Sequence, residues 1–528
     1  MSTFHGLEMA KQALFAQQSA LYTTGHNISN ANTEGYSRQR VNFETLTPYP
    51  SASRNRPQIA GQLGTGVEAG TVQRIRNQYL DYQFRSENSK AGYWDTKADA
   101  LSRMEELMNE PSESGLSKTM DQFWQSLQDL SVNPENSGAR SVVAQRGLAV
   151  AETFNYLSDS LNSIRSDLKN QIDVTVKDAN SLIKQVDGLN KQIKNIETNG
   201  YLPNDLYDER DRLIDELSGI VNIKVSYEKS SDSSLDIADG LATIEVVDNE
   251  GKSFDDPIKL VNGDPDATGE TYQQFLVEFG DDNQNFDVMK NIRIGEQIDD
   301  QPFVSKHVLS LSAFPSNGSL KGFIESYGFD AKDASGNSIT KGEYTDMLSD
   351  LDKMAEQFAS AFNAQHKNGY DLNGNTGGDV ESFFEDYSGT GAAGSITVNQ
   401  DILDNPDLIA AGAEDFSGDG DNALALADIF DDAEAVDLGD NTSVNSFYES
   451  LIGDLGVRAQ EANRMTNNTG ILRSQVENQR MSVTSVSLDE EMSNMIKFQH
   501  AYSAAARSMT AVDEMIDRII NNMGLVGR

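Results

Sequence analysis

The chain has 528 residues, a formal net charge of −41 and no cysteine. One core does not extend over that length, and at roughly 150 residues per domain three or four domains are expected. Without cysteine there are no disulfides, cysteine nucleophiles or thiolate metal sites, and the acidic balance argues against phosphate or nucleic-acid binding by the chain as a whole.

Residues 3 to 26 predict a helix. Leu7, Leu14, Leu21 and Ile28 stand one heptad apart with Ala10, Ala13 and Ala20 beside them, which is a seam and not a whole core face. Lys11 is the first Lys or Arg, and polar residues interrupt the apolar positions, so no signal peptide is expected here. The stretch NISNANTEGYSRQR at 27–40 ends the helix. Asn27, Asn30 and Asn32 are expected to satisfy its last carbonyls and Gly35 to admit a positive φ. Tyr36, Arg38 and Arg40 then begin an alternating strand with Val41 and Phe43.

Helical periodicity dominates residues 78 to 221, including SLIKQVDGLNKQIKNIE, and NDLYDERDRLIDELSGIV forms a further helix behind Pro203. From Asn222, alternating NIKVSY, ATIEVV and QFLVEF between clusters of Asp, Gly and Asn predict short strands of an inserted β domain that ends near Pro315. Helices resume at YTDMLSDLDKMAEQFASAFNAQH. Residues 369–442, rich in Gly, Asp and Asn, read as a looped excursion with one short helix near NALALADIF. From Val444 the chain is helical to its end. There Leu488, Met495, Tyr502, Met509, Ile516 and Met523 fall seven apart, with Phe498, Ala505, Val512 and Ile519 three residues after four of them.

The expected fold is therefore multidomain and mainly α with inserted β. Residues 1–35 with 485–528 form a terminal domain of paired helices in a coiled coil. Residues 36–225 with 316–368 and 443–484 form a long helical body. Residues 226–315 form an acidic β-rich domain, and 369–442 an acidic loop excursion. Residues 231–450 hold 45 acidic and 10 basic side chains, whereas 1–80 carry a net charge of +3. Self-repulsion is expected to keep the middle block solvated. In this nested layout the termini meet at one tip and the β domain projects at the other. No run approaches the roughly 18 apolar residues of a membrane helix, so no membrane insertion is expected.

NISNANTEGYSRQ after an apolar helix resembles the N-terminal signature of the flagellar axial proteins, the family of rod, hook and hook-associated proteins. VSLDEEMSNMIKFQHAYSAAARSMTAVDEMIDRIINNMG is similar to the matching C-terminal signature. The YSRQ ending and the internal NDLYDERDRLIDELSGIV resemble the hook-associated branch, and not the hook or distal rod proteins that are the nearest alternatives. Glu34 stands where the family commonly has Pro. The resemblance implies a structural part of the bacterial flagellum that joins hook to filament. It also implies export from the cytoplasm, unfolded, through the flagellar type III channel, which a chain without cysteine suits. The implied partners are copies of itself, the hook protein, a second junction protein and an export chaperone that binds near the C-terminus. The residues expected to carry assembly are Leu7, Leu14, Leu21 and Ile28 with Leu488, Met495, Phe498, Tyr502, Met509, Val512, Ile516, Ile519 and Met523. Asn27, Asn30, Asn32, Gly35, Tyr36 and Arg38 form the turn motif.

Other chemistry is weakly signalled. Asp371, Asn373 and Asn375 open like a calcium loop, but Thr376 stands where Gly is needed and Ser382 where a bidentate Glu is needed. His5, His26, His307, His366 and His500 lack ligand spacing. Ser181 and Lys184 have the spacing of a Ser-Lys nucleophile but lie in an amphipathic helix. No cofactor, metal or catalytic activity is expected. A secreted adhesin, or a cell-wall hydrolase using an acid pair, would place its activity in residues 226–442.

Overall fold

The computed structural model describes residues 4–51, 53–54, 56–108, 115–281, 287–297, 302–311, 314, 316–333, 336–385, 391–439 and 441–522. Met523 and Pro315 lie outside the described residues. Helix α1 (His5–Ser29) leads through a turn into an antiparallel ribbon of β1 (Gln39–Thr45) and β2 (Val67–Arg74). Four helices follow: α2 (Gln78–Met108), α3 (Leu116–Val132), α4 (Ser137–Glu197) and α5 (Asn204–Ile220). Two sheets come next. Strands β3 (Ile223–Glu228), β4 (Leu241–Val247) and β5 (Ser253–Val261) form one. The other begins with β6 (Gln274–Asp281), β7 (Asp287–Glu296) and β8 (Val304–Leu309).

Helix α4 is the spine. Its 61 residues extend about 90 Å at 1.5 Å per residue. Asn136 caps it, its side chain accepting from the amides of Gly138 and Ala139 at 2.8 and 3.3 Å. Val143, Val150, Phe154, Leu161, Leu168, Ile172, Ile183 and Val186 keep one face buried along its length. Helix α3 packs at its N-terminal end, α6 (Ser319–Tyr327) and α7 (Glu343–Asn368) along its middle, and α5 with both sheets towards its C-terminal end. Helix α11 (Val444–Thr484) returns along α2, and α12 (Leu488–Asn522) lies against α1. The molecule is thus mainly helical, with a central β-rich region and long N- and C-terminal helices in contact.

One device recurs where helices meet extended chain. Asn190 donates to the carbonyl of Ala242 and accepts from the same residue's amide, at 2.8 and 3.1 Å. Asn180 grips Phe275 in this way at 2.8 and 2.7 Å, and Asn363 grips Phe384 at 2.9 Å in both bonds. Each carboxamide presents one donor and one acceptor as a neighbouring strand would, so the peptide groups of Ala242, Phe275 and Phe384 are paired where they meet a helix.

The middle of the chain departs from the sequence reading in three ways. The second sheet runs past 315, because β9 (Phe329–Lys332) pairs with β7 and β10 (Ser338–Lys341) pairs with β9. The β-rich region does not project at a far tip. It packs on α4, and Asp239 in the β3–β4 connection pairs with Arg74 at the end of β2. Residues 369–442 are not a solvated loop. They carry α8 (Ala392–Ser395), α9 (Gln400–Asp404) and α10 (Asp421–Asp428). Phe383, Phe384 and Phe430 from this stretch join Phe123, Phe358 and Phe362 in one aromatic cluster, with ring centroids as close as 4.9 Å. The arginine side chain of Arg140, at the start of α4, is buried and donates to the carbonyls of Pro134 and Ile409, both at 2.6 Å. Most described acidic side chains of this segment are exposed, while Phe383, Phe384, Ile402, Ile409, Leu426 and Phe430 are buried.

Candidate functional site

Helices α1 and α12 run antiparallel. A Cβ on Gly6 would sit 3.5 Å from a Val512 methyl group, while at the other end Asn27 donates to Glu491 at 3.1 Å. The buried line of α1 passes through small residues, Ala10, Ala16, Ala20 and Thr24, ending at Asn27. Leu7, Leu14, Leu21 and Ile28 are half-buried on its flanks. On α12, Met495, Phe498, Tyr502, Met509, Val512 and Ile516 are half-buried, and Phe498 meets Phe43 of β1 edge to face at 6.2 Å. Leu488 and Ile519 are exposed, as are Phe15 and Tyr22 on α1 and Met492, Ile496, Met515 and Ile520 on α12. The pair therefore has an inner contact and an outer apolar face that the described residues do not cover.

The turn motif works differently from its sequence reading. Asn30 caps the helix, its Nδ2 donating to the carbonyl of His26 at 3.1 Å, and Gly35 has φ +78°, where a Cβ would lie 3.4 Å from the Arg212 side chain. Asn32 is exposed. Asn27, 2% exposed, does not cap its own helix. It grips Gln39, donating to its carbonyl at 2.8 Å and accepting from its amide at 2.9 Å, and it also accepts from the Tyr36 hydroxyl at 2.8 Å. Burial, with Asp205, Asp208 and Glu491 nearby, pushes the Tyr36 hydroxyl up and keeps its proton in place for that bond. Arg38 reaches across to Glu491 at 2.8 Å and Glu490 at 2.9 Å, and its amide donates to the Thr484 carbonyl at 2.9 Å. Strand β1 starts only at Gln39, leaving Arg40 exposed.

Helix α5 lies directly behind this turn. Its Asp208 accepts from the Ser37 amide at 2.9 Å, Asp205 from the Gln39 side chain at 3.0 Å, and Asn204 donates to the Val72 carbonyl at 2.9 Å. One helical turn further on, Asp211 is 1% exposed and pairs with Arg74 at 2.7 Å, Arg85 at 3.1 Å and Arg76 at 3.5 Å. Asp215 pairs with Arg85 at 2.7 Å and with Arg480 of α11 at 2.5 Å. Asp81 of α2 binds Arg76 at 2.8 Å and Arg480 at 3.6 Å, and the Arg480 guanidinium lies over the Phe84 ring at 4.1 Å. Five elements thus meet in one hub: α2, α5, α11, the end of β2 and the β3–β4 connection. Burial pushes the Asp211 carboxyl up, but Arg76, Arg74 and Arg85 outweigh it and hold it well below the usual carboxylate range. For Asp208 burial wins over Arg74 and the Ser37 amide, and its carboxyl is raised. The sequence alone marked NDLYDERDRL as a segment but not its arginine partners, which lie more than a hundred residues away in the chain.

Matches to known proteins fall on these same parts. A family model described as flagella basal body rod protein matches residues 7–36, and one for the flagellar basal body rod FlgEFG protein C-terminal region matches 477–523. The flagellar hook-associated protein FlgK helical domain matches residues 101–384. Flagellar hook-associated protein 1 of Bacillus subtilis (strain 168) is 46% identical over 530 residues, with 100% of each chain covered. The chain belongs to the flagellar hook-associated protein 1 family. Within that family it is 26% identical to the Escherichia coli (strain K12) protein, over 97% of this chain and 98% of the other. The fold is shared with the flagellar hook junction protein FlgK from Burkholderia pseudomallei, with a TM-score of 0.56 at 14% identity over 76% of this chain and 100% of that one.

The Asp371 carboxylate accepts from the amides of Asn373 and Asn375, both at 2.8 Å, closing its own turn. Ser181 and Lys184 lie on the exposed face of α4. His366 is buried, His500 is exposed, and among the described residues no group of His, Cys, Asp and Glu has the arrangement of a metal site.

Proposed function

We propose that this chain is a structural, non-enzymatic subunit of the flagellar axis that joins the hook to the filament, and that it assembles through its terminal helices. The observation that carries this reading is the convergence of both chain ends on α5, with an apolar outer face on the α1–α12 pair left uncovered. In the assembled axis that pair winds as a coiled coil into the inner layer, with head-to-tail contacts between copies along a helical lattice. The residues that carry it are Leu7, Leu14, Leu21 and Ile28 with Leu488, Met495, Phe498, Tyr502, Met509, Val512, Ile516, Ile519 and Met523. The helical body forms the next layer and the acidic middle faces the medium. Its partners are the hook protein, a second junction protein and, before export, a chaperone at the C-terminal region. The finished subunit is extracellular after export through the flagellar type III channel.

A burial test separates this from a role in the middle of the chain. Leu14→Asp and Ile516→Asp place a charge in the terminal contact while sparing the body, so each variant is expected to fold, to be exported and to fail to enter the axis. Normal filaments and swimming in either variant would sink the reading. Deleting the acidic middle with loss of surface attachment but normal filaments would favour the adhesin class instead.

A further inference from the structure

The contacts around α5 form a closed triangle. The N-terminal arm is held on α5 through Ser37 and Gln39. The C-terminal arm is held on the same helix through Arg480 and Asp215. The two arms are held to each other by Arg38 and Asn27 on Glu491 and by the Arg38 amide on the Thr484 carbonyl. Arg76 joins the two sides, since it reaches Asp81 and Asp215, which hold Arg480, and also Asp208 and the Ser37 hydroxyl. The carboxylates of Asp81, Asp208, Asp211, Asp215 and Glu491 are largely shielded from solvent, so loss of one cation is not made good by water. The remaining arginines must be shared among the carboxylates left behind.

We propose that α5 is the keystone of a two-ended latch, in which Arg480 and Arg76 couple the docking of the C-terminal arm to that of the N-terminal arm before any neighbouring subunit is met. Removing Arg480 leaves Asp81 to Arg76 alone and Asp215 to Arg85 and Arg76, and the added demand draws Arg76 from Asp208 and loosens the Ser37 amide that Asp208 holds. The latch fixes the base of both arms and leaves the outer parts of α1 and α12 free for other contacts. It does not depend on what the assembled subunit joins.

Hydrogen exchange of the full chain, read by mass spectrometry, tests it. Among the described residues the ion-pair and ring partners of Arg480 are Asp81, Asp215, Glu477 and Phe84, none of them in the N-terminal arm. Arg480→Gln is nonetheless expected to speed exchange of amides 36–41 by about tenfold or more, together with residues 480–491. Arg38→Gln removes the direct contacts to Glu490 and Glu491 and is expected to loosen 36–41 together with 480–491. Arg458→Gln, on the same α11 but paired with Glu343, serves as the control and is expected to leave both regions unchanged. Wild-type rates at 36–41 in Arg480→Gln, or no protection of either region in the wild-type chain, would overturn the latch while leaving the assembly reading to its own test. Should Arg480→Gln unfold the body, Arg480→Lys keeps a cation with fewer donors, and a change confined to 480–491 in it would contradict the coupling.

Discussion

Asn27 uses both amide protons and both acceptor directions of its oxygen, on Gln39, Glu491 and Tyr36. Asn27→Leu keeps the volume and strands all of these partners in a buried place. A loss of about 2–4 kcal/mol is expected, read as faster exchange in α1 and a lower denaturant midpoint; an unchanged midpoint with unchanged exchange would contradict the clamp. A second residue gives a pH signature. His366 is buried, its Nδ1 donating to the Glu381 carbonyl at 3.1 Å and its Nε2 accepting from the Ala410 amide at 2.9 Å. The neutral ring fits and a second proton does not, so burial lowers its pKa from 6.5 to about 4. The unfolded chain binds that proton first, so the stability present above about pH 6.5 is lost as pH falls towards 4, by roughly 3 kcal/mol at 1.36 kcal/mol per unit. Asp346 has the opposite slope, because burial raises its carboxyl to about 6 and its folded form gives up stability as pH rises through that value. Comparing wild type with His366→Gln isolates the histidine, and equal pH dependence in the two would contradict the assignment.

At the scale of elements, α5 carries two kinds of charge. Asp211→Ala leaves Arg74, Arg76 and Arg85 without their shared buried anion and is expected to cost about 3–5 kcal/mol. Arg212→Ala, on the same helix, breaks surface pairs with Glu209 and Glu216 and should cost under about 1 kcal/mol. Equal effects in equilibrium unfolding would remove the distinction. The share of stability that Asp211 brings is in place above the unfolded carboxylate value of about 3.9 and is lost as pH falls below it, since its pKa is depressed in the fold. The long helices were legible in the sequence because their apolar period persists over many turns, as from Val143 to Val186. Strands β9 and β10 were not, being four residues each beside glycines. The 369–442 segment was hidden by its composition: its phenylalanines and alanines bury without any regular period, and acid dominates the stretch between them. The turn motif was visible as a motif, but the use of Asn27 depends on Gln39 and Glu491 and so on the tertiary fold.

Over the whole molecule, the chain is fastened where both arms meet α5 and progressively less covered beyond it. Ala10, Ala16, Ala20 and Thr24 are buried against a helix whose own residues, Glu491 aside, remain half-buried or exposed. In the assembly proposed above, such a pair would gain its remaining cover from neighbouring copies, which would couple folding at the tips to assembly. Limited proteolysis of the purified free chain, with mass spectrometry to place the cuts, tests this most directly. The expected result is rapid loss of roughly 25–40 residues from each end, stopping near Asn27 and Glu491, and a stable body that retains α5 and α11. Termini as resistant as the body would contradict folding on assembly, and early cuts inside 36–41 or 475–490 would contradict the fastening at α5.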